Sequence, residues 1–86
     1  MEIIFLPEAK EELNYWVKTG NKAILKKISF LIESIVANPF EGIGKPEPLK
    51  YGLTGCWSRR INKEHRLVYE LTETEILIHS IKDHYL

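Results

Sequence analysis

His65-Arg66-Leu67-Val68-Tyr69-Glu70-Leu71 and Glu75-Ile76-Leu77-Ile78-His79-Ser80-Ile81, separated by Thr72-Glu73-Thr74, decide the fold. Both runs are rich in β-branched and aromatic residues, and the spacer is short and polar, so they read as two antiparallel strands. Upstream, runs near 49–53 and 56–61 are set off by Thr54-Gly55 and Asn62-Lys63, and they read as two more strands of the same meander. The first half has a different period. Residues 2–6 form a short apolar strand that ends at Pro7. Pro7 then suits the first turn of a helix, with Glu8, Glu11 and Glu12 near its positive end. Ala9, Leu13, Trp16 and Val17 follow helical spacing, and Gly20 stops the helix. A second helix opens near Asn21, carries Ile24, Ile28, Leu31, Ile32 and Ile35 as one apolar stripe, and ends at Asn38-Pro39. The expected architecture is α+β, in the order β-α-α-β-β-β-β. It is a mainly antiparallel sheet with an N-terminal helical hairpin packed on one face and the other face left free.

At 86 residues the chain makes one domain, spanning 1–86. Its single cysteine, Cys56, cannot form an internal disulfide, which fits a reducing compartment. The amino end is too short and too acidic for a signal peptide, and the apolar pattern from Ala23 to Ala37 is interrupted by Lys26, Lys27, Ser29, Glu33 and Ser34. A soluble cytoplasmic protein that does not engage a membrane is expected. Net charge is zero, which argues against strong general affinity for nucleic acid. The charge is unevenly spread, however. Residues 41–69 hold six basic and three acidic residues, while residues 70–86 hold one basic and four acidic.

Chemistry-bearing residues concentrate in that basic middle and at the carboxyl end. In Gly44-Lys45-Pro46-Glu47-Pro48-Leu49-Lys50, one carboxylate stands between two prolines and two lysines. Proline restricts itself and the residue before it, so Glu47 is stiffly held. Strand alternation puts Cys56, Ser58 and Arg60 on one face and Trp57, Arg59 and Ile61 on the other. With Trp57 and Ile61 toward the helices, Arg60 points outward. Leu67, Tyr69 and Leu71 read as core, leaving Arg66 and Val68 on the open face with Arg60. A strict two-residue turn at Asn62-Lys63 would instead set Arg66 opposite Arg59, so this register requires a three-residue connection or a bulge.

A carboxylate, arginines and a near-terminal His84 are what metal-free cleavage of RNA requires, because RNA supplies its own 2′-hydroxyl nucleophile. Glu47 fits the base and Arg66 the phosphate clamp; His84 fits the acid, since histidine as a residue type can hold and release a proton near neutral pH. Lys50 and Arg60 fit flanking phosphate contacts, and Tyr85 fits base stacking. Taken singly, Glu47 also fits a solvated loop residue, and Arg59 and Arg60 a strand coating. No two of Cys56, His65 and His79 lie at local zinc spacing, so neither metal nor cofactor is expected. A nucleophilic Cys56–His pair lacks an evident third, orienting group.

These residues carry a resemblance. Pro39-Phe40-Glu41-Gly42, Gly44 to Lys50, Leu53, Gly55, Trp57-Ser58-Arg59-Arg60-Ile61, Glu64-His65-Arg66-Leu67-Val68-Tyr69 and His84-Tyr85 resemble the Txe/YoeB toxins of bacterial type II toxin–antitoxin modules, within the RelE superfamily. The resemblance covers essentially the whole chain. It implies a microbial-ribonuclease-like fold and a ribosome-dependent endoribonuclease that cuts messenger RNA in the A site and stops translation. It matches Glu47 to the general base, His84 to the general acid and Arg66 to the transition-state arginine, with Lys50, Arg60 and Tyr85 in supporting positions. It further implies a Phd/YefM-type antitoxin partner, operator DNA bound only through that complex, and homodimers. Asp83 and Leu86 depart from the family pattern around His84-Tyr85. Together with the zero net charge, low for a protein that must enter ribosomal RNA surroundings, they motivate a competing reading, a weakly active or inactive homologue that works as an antitoxin-binding co-repressor.

Overall fold

The computed structural model describes residues 1–50 and 52–83. Strand β1 (Glu2–Phe5) leads into helix α1 (Pro7–Thr19) and helix α2 (Lys22–Ala37). Four strands follow: β2 (Glu47–Pro48), β3 (Cys56–Arg60), β4 (Arg66–Leu71) and β5 (Glu75–Ser80). They form one five-stranded sheet in the order β1-β5-β4-β3-β2. Neighbours are antiparallel except that β1 runs parallel to β5, with Glu2 opposite Glu75 and Phe5 opposite Ile78. The chain thus leaves β1, folds the helical hairpin over one face and returns through a meander whose last strand lies beside the first. No helix among the described residues is long and apolar enough to cross a membrane.

Local chemistry sets the helix ends. Pro7 sits in the first turn of α1, where its missing N–H costs nothing. Gly20 ends that helix in the left-handed region, φ 68°, and its N–H caps the carbonyls of Trp16 and Val17. Asn21 caps α2 by accepting the Ile24 N–H at 3.2 Å. The stripe Ile24, Ile28, Leu31 and Ile35 packs with Ala9 and Trp16 against Leu67, Tyr69, Ile76 and Ile78 of the sheet. Val17, expected on the buried stripe, is 58% exposed. It follows Trp16 directly and so lies a helical step around from the core line.

Two expectations are corrected. The described residues of the strand expected over 49–53 form no strand; pairing falls earlier, at Glu47–Pro48, where Glu47 faces Ser58 and Pro48 faces Trp57. Proline cannot donate to a ladder, so a Pro-Glu-Pro run is accepted only at an edge, and β2 is the edge. Gly52 and Gly55, at φ 85° and 97°, then carry the turn into β3. The second correction concerns only the strand-coating reading of Arg59; alternation already set this residue on the side of Trp57 and Ile61, toward the helices. Arg59 is fully buried.

The open register question is resolved. Arg60 stands opposite Arg66. The Ile61 N–H reaches the His65 carbonyl at 2.9 Å, so Asn62, Lys63 and Glu64 make a three-residue turn, closed by Asn62 Oδ1 accepting the N–H groups of Glu64 and His65. A bulge does occur, but on β5. Tyr69 pairs with Ile78 and Val68 with Ser80, leaving His79 as the extra residue.

Candidate active site

The helix-free face of the sheet carries Glu47 on β2, Ser58 and Arg60 on β3, and Arg66 and Val68 on β4. Glu47 and Arg66 are not on adjacent strands, because β3 runs between them. Two inter-strand steps span roughly 9–10 Å of backbone. Their long side chains nonetheless close to 4.0 Å, Arg66 Nη1 to Glu47 Oε2, above the small Ser58. At that distance the contact is an ion pair and not a direct hydrogen bond. The Arg66 side chain is 19% exposed and that of Glu47 54%, so the pair sits at the surface of a shallow face with the guanidinium deeper.

Arg60 and Arg66 face each other across β3 and β4. Like charges directly opposite in a sheet are destabilising, so the pairing lowers stability and makes a small cationic platform. An exposed carboxylate beside one guanidinium, with a second arginine opposite that one in the ladder, can accept a proton next to a bound oxyanion. Lys50 is exposed two residues beyond β2. His84 and Tyr85, the remaining expected members, lie outside the described residues.

Supports that sequence reasoning missed explain how Glu47 is held. Arg59 Nε donates to Tyr69 Oη (3.3 Å). Nη1 donates to Ser34 Oγ (2.7 Å) and the Ile43 carbonyl (3.1 Å), and Nη2 to the carbonyls of Asn38 (2.6 Å) and Glu41 (3.0 Å). All five guanidinium N–H groups are thereby used. Tyr69 Oη donates to the Pro39 carbonyl at 2.5 Å. Burial raises the Tyr69 phenol pKa above its ordinary value, and the Arg59 guanidinium opposes that rise. The 38–44 loop is thus pinned from inside, and the Gly44 carbonyl accepts the Arg60 N–H at 2.6 Å, delivering the chain to β2. Placing Arg59 on the face of Trp57 and Ile61 was the available signal. A charge on a core-facing position needs several acceptors, and the carbonyl-rich loop supplies them.

The segment after β5 is also anchored. Ile81 N–H donates to Glu12 Oε1 (2.7 Å), and Trp16 Nε1 donates to the Ile81 carbonyl (3.0 Å). Asp83 N–H donates to His65 Nδ1 (2.8 Å), while Arg66 N–H donates to the Asp83 carbonyl (2.8 Å). Asp83, at φ 62°, is one of two non-glycine residues in the left-handed region among those described. Its carboxylate lies 3.7 Å from Lys82 Nζ. Four groups therefore fix the backbone immediately before His84.

On the same face, Cys56 Sγ lies 3.8 Å from His79 Nε2, which lies 2.9 Å from Glu70 Oε1. Glu70 looks like the orienting group a Cys–His pair lacked, but both contacts use the same ring nitrogen. A nucleophilic relay needs one nitrogen for the thiol and the other for the carboxylate. Burial, and secondarily the Glu70 charge, raise the Cys56 thiol pKa, which disfavours a thiolate nucleophile.

Comparison with known proteins agrees with this fold. The profile of the YoeB-like toxin of bacterial type II toxin–antitoxin systems matches residues 5–85. The Toxin YoeB of Escherichia coli K12 is 49% identical over 85 residues, covering 99% of this chain and all of that protein. The YoeB/ParE toxin from Agrobacterium tumefaciens superposes with a TM-score of 0.94 at 34% identity, covering 99% of this chain and 100% of that one. The toxin in the YoeB–YefM complex from Staphylococcus aureus gives a TM-score of 0.88 at 51% identity, covering 99% of this chain and 98% of that one. With the match running through both helices, the buried arginine loop and the whole meander, the chain belongs to the YoeB toxin family of bacterial type II toxin–antitoxin systems, in the RelE superfamily.

Proposed function

We propose that this toxin is a ribosome-dependent endoribonuclease that cuts messenger RNA in the A site and so stops translation. The observation that carries the reading is the approach of Glu47 to Arg66 across an intervening strand, with Arg60 opposite Arg66. Glu47 takes the proton from the RNA 2′-hydroxyl. The 2′-oxygen attacks the adjacent phosphorus, and the bond to the 5′-oxygen breaks. Arg66 leaves its loose pairing with Glu47 for the phosphate oxygens as charge builds, which frees the carboxylate to act as base. His84 protonates the departing 5′-oxygen. The products are a 2′,3′-cyclic phosphate, which can open to a 3′-phosphate, and a 5′-hydroxyl. Lys50 and Arg60 hold flanking phosphates, and Tyr85 stacks on a base. Zero net charge supports dependence on the ribosome, because the platform is too small to capture free RNA by charge alone. The Staphylococcus aureus complex supports an antitoxin of the YefM kind as partner.

The test is single-turnover cleavage of messenger on programmed ribosomes, beside naked RNA. Wild type should cut only on the ribosome. Glu47→Gln should slow cleavage about 100-fold or more, the usual contribution of a positioned base. Arg66→Ala should do the same, and His84→Ala should relieve growth arrest. Antitoxin binding with no codon-positioned cuts by wild type would overturn the reading in favour of a binding-only co-repressor.

A further inference from the structure

Three donor atoms that the proposed RNA chemistry does not use converge on the helix-free face. Cys56 Sγ, Glu70 Oε1 and His79 Nε2 come from β3, β4 and β5, and one ligand atom from each lies within 4.8 Å of the others. Cys56 stands opposite Glu70 in the ladder, so their side chains share a face by construction. His79 is the extra residue of the β5 bulge, and a bulge is the device that re-aims one side chain out of the ladder.

We infer that Cys56, Glu70 and His79 form a binding site for a borderline-soft divalent cation of the zinc type, separate from the Glu47–Arg66 face chemistry. Thiolate, imidazole and carboxylate are the donors zinc takes, and three protein ligands with one open position is a common arrangement. Zinc bonds of about 2.3 Å to sulfur and about 2.0–2.2 Å to nitrogen or oxygen, at a tetrahedral angle, separate paired donors by roughly 3.3–3.6 Å. Two of the three observed separations, 3.8 Å for S···N and 2.9 Å for N···O, lie on either side of that range, and the third, between the sulfur and the carboxylate, is within 4.8 Å, so binding draws the sulfur inward. Both donor pairs share His79 Nε2, which hinders a nucleophilic relay and suits one central ion. Cys56 is buried, while the side chains of His79 and Glu70 are 32% and 40% exposed, so an ion has a path in and room for a water ligand. Local spacing in the sequence hid the set, because its members are brought together only by the strand register.

The consequence is a staple across three strands in a small domain without a disulfide. Binding exchanges the thiol proton for the metal, with no change in oxidation state. The test uses the purified, chelator-stripped full chain with zinc alone, and cobalt as its spectroscopic stand-in. Wild type should bind one equivalent of zinc and show a raised unfolding midpoint with it, and the cobalt form should show a thiolate-to-metal charge-transfer band with a tetrahedral visible spectrum. His79→Ala, at a partly exposed position, should fold and weaken zinc binding by at least the about 10–100-fold that loss of an outer-shell partner causes. Cys56→Ser should lose the charge-transfer band. A wild-type cobalt spectrum without thiolate character, or a His79→Ala variant that binds zinc as tightly as wild type, would overturn the site. None of these readouts involves RNA, so they stand or fall apart from the proposed cleavage.

Discussion

Arg59 offers five N–H donors, and each meets an oxygen of the 38–43 loop, of Ser34 or of Tyr69. A buried guanidinium is expensive to desolvate, and here carbonyl dipoles supply the compensation. Arg59→Met would keep much of the volume and leave the carbonyls of Asn38, Glu41 and Ile43 without that partner. Unpaired buried acceptors cost about 1–3 kcal/mol each, and partial access of water to the loop lowers the sum, so a loss of about 2–3 kcal/mol is expected. For a domain this small that lowers the unfolding midpoint by roughly 10 °C or more, readable by calorimetry. Arg59→Lys should lose nearly as much, since an ammonium cannot reproduce the planar fork. Adjacent arginines looked interchangeable in the sequence, yet alternation already separated them. Arg60 was legible as outward and Arg66 as its neighbour; the role of Arg59 was not, because its acceptors come from a loop with no periodic pattern. Glu47 was legible through its prolines, and its closeness to Arg66 required the register.

At the scale of elements, the path from α2 to β2 is the sensitive one. Gly44 sits at φ 84°, and a Cβ there would lie 2.8 Å from Leu31 Cδ2 and 3.1 Å from both Arg59 Cβ and the Arg60 carbonyl oxygen. Gly52 sits at nearly the same φ, 85°, with nothing within 4 Å of a Cβ among the described residues. The two glycines separate backbone strain from crowding. Gly52→Ala should cost about 1 kcal/mol, the strain alone. Gly44→Ala should cost about 2–3 kcal/mol, because backbone and core must also move. Urea unfolding of both variants checks the difference; equal losses would show that the loop absorbs the added carbon. Gly44→Ala should also depress cleavage on ribosomes beyond its effect on stability, since the Gly44 carbonyl ties the loop to Arg60. The helices and the last three strands were legible because their periods are long and their ends are marked by Pro7, Gly20, Asn38 and short polar turns. The edge strand was misplaced because two residues carry no period, and the parallel pairing of β1 with β5 depends on contacts that no local pattern records.

Across the whole molecule, α1 reaches the far end of the chain. Glu12 and Trp16 hold both backbone groups of Ile81, two residues before Asp83, whose own backbone is held by His65 and Arg66. The helical hairpin thus supplies the core and also fixes the backbone that follows β5 at Ile81. Glu12 accomplishes this as a half-buried carboxylate. Burial raises its pKa above the ordinary 4.5, the Ile81 N–H opposes the rise, and Glu8 and Asp83 add to it. A group that holds its proton more tightly folded than unfolded favours the folded state at low pH. As pH rises past the unfolded value, the unfolded chain ionises first and stability falls, until the folded carboxyl has also ionised. Glu12→Gln keeps an oxygen for the Ile81 N–H and removes the titration. Its stability relative to wild type should therefore improve as pH rises from about 4.5 through the raised folded value, then stay constant. Glu12→Ala also removes the titration, so it should follow the same pH trend, offset about 1 kcal/mol below Glu12→Gln because it lacks an acceptor for the Ile81 N–H. Urea unfolding of the three proteins from pH 4 to pH 8 reads both effects. A Glu12→Gln difference that is flat with pH would mean that hydrogen bonding to Ile81 balances burial, and one that turns toward wild type above about 4.5 would mean that it outweighs burial. The carboxylate would then be a net stabilising anchor of the chain's end and not a strained one.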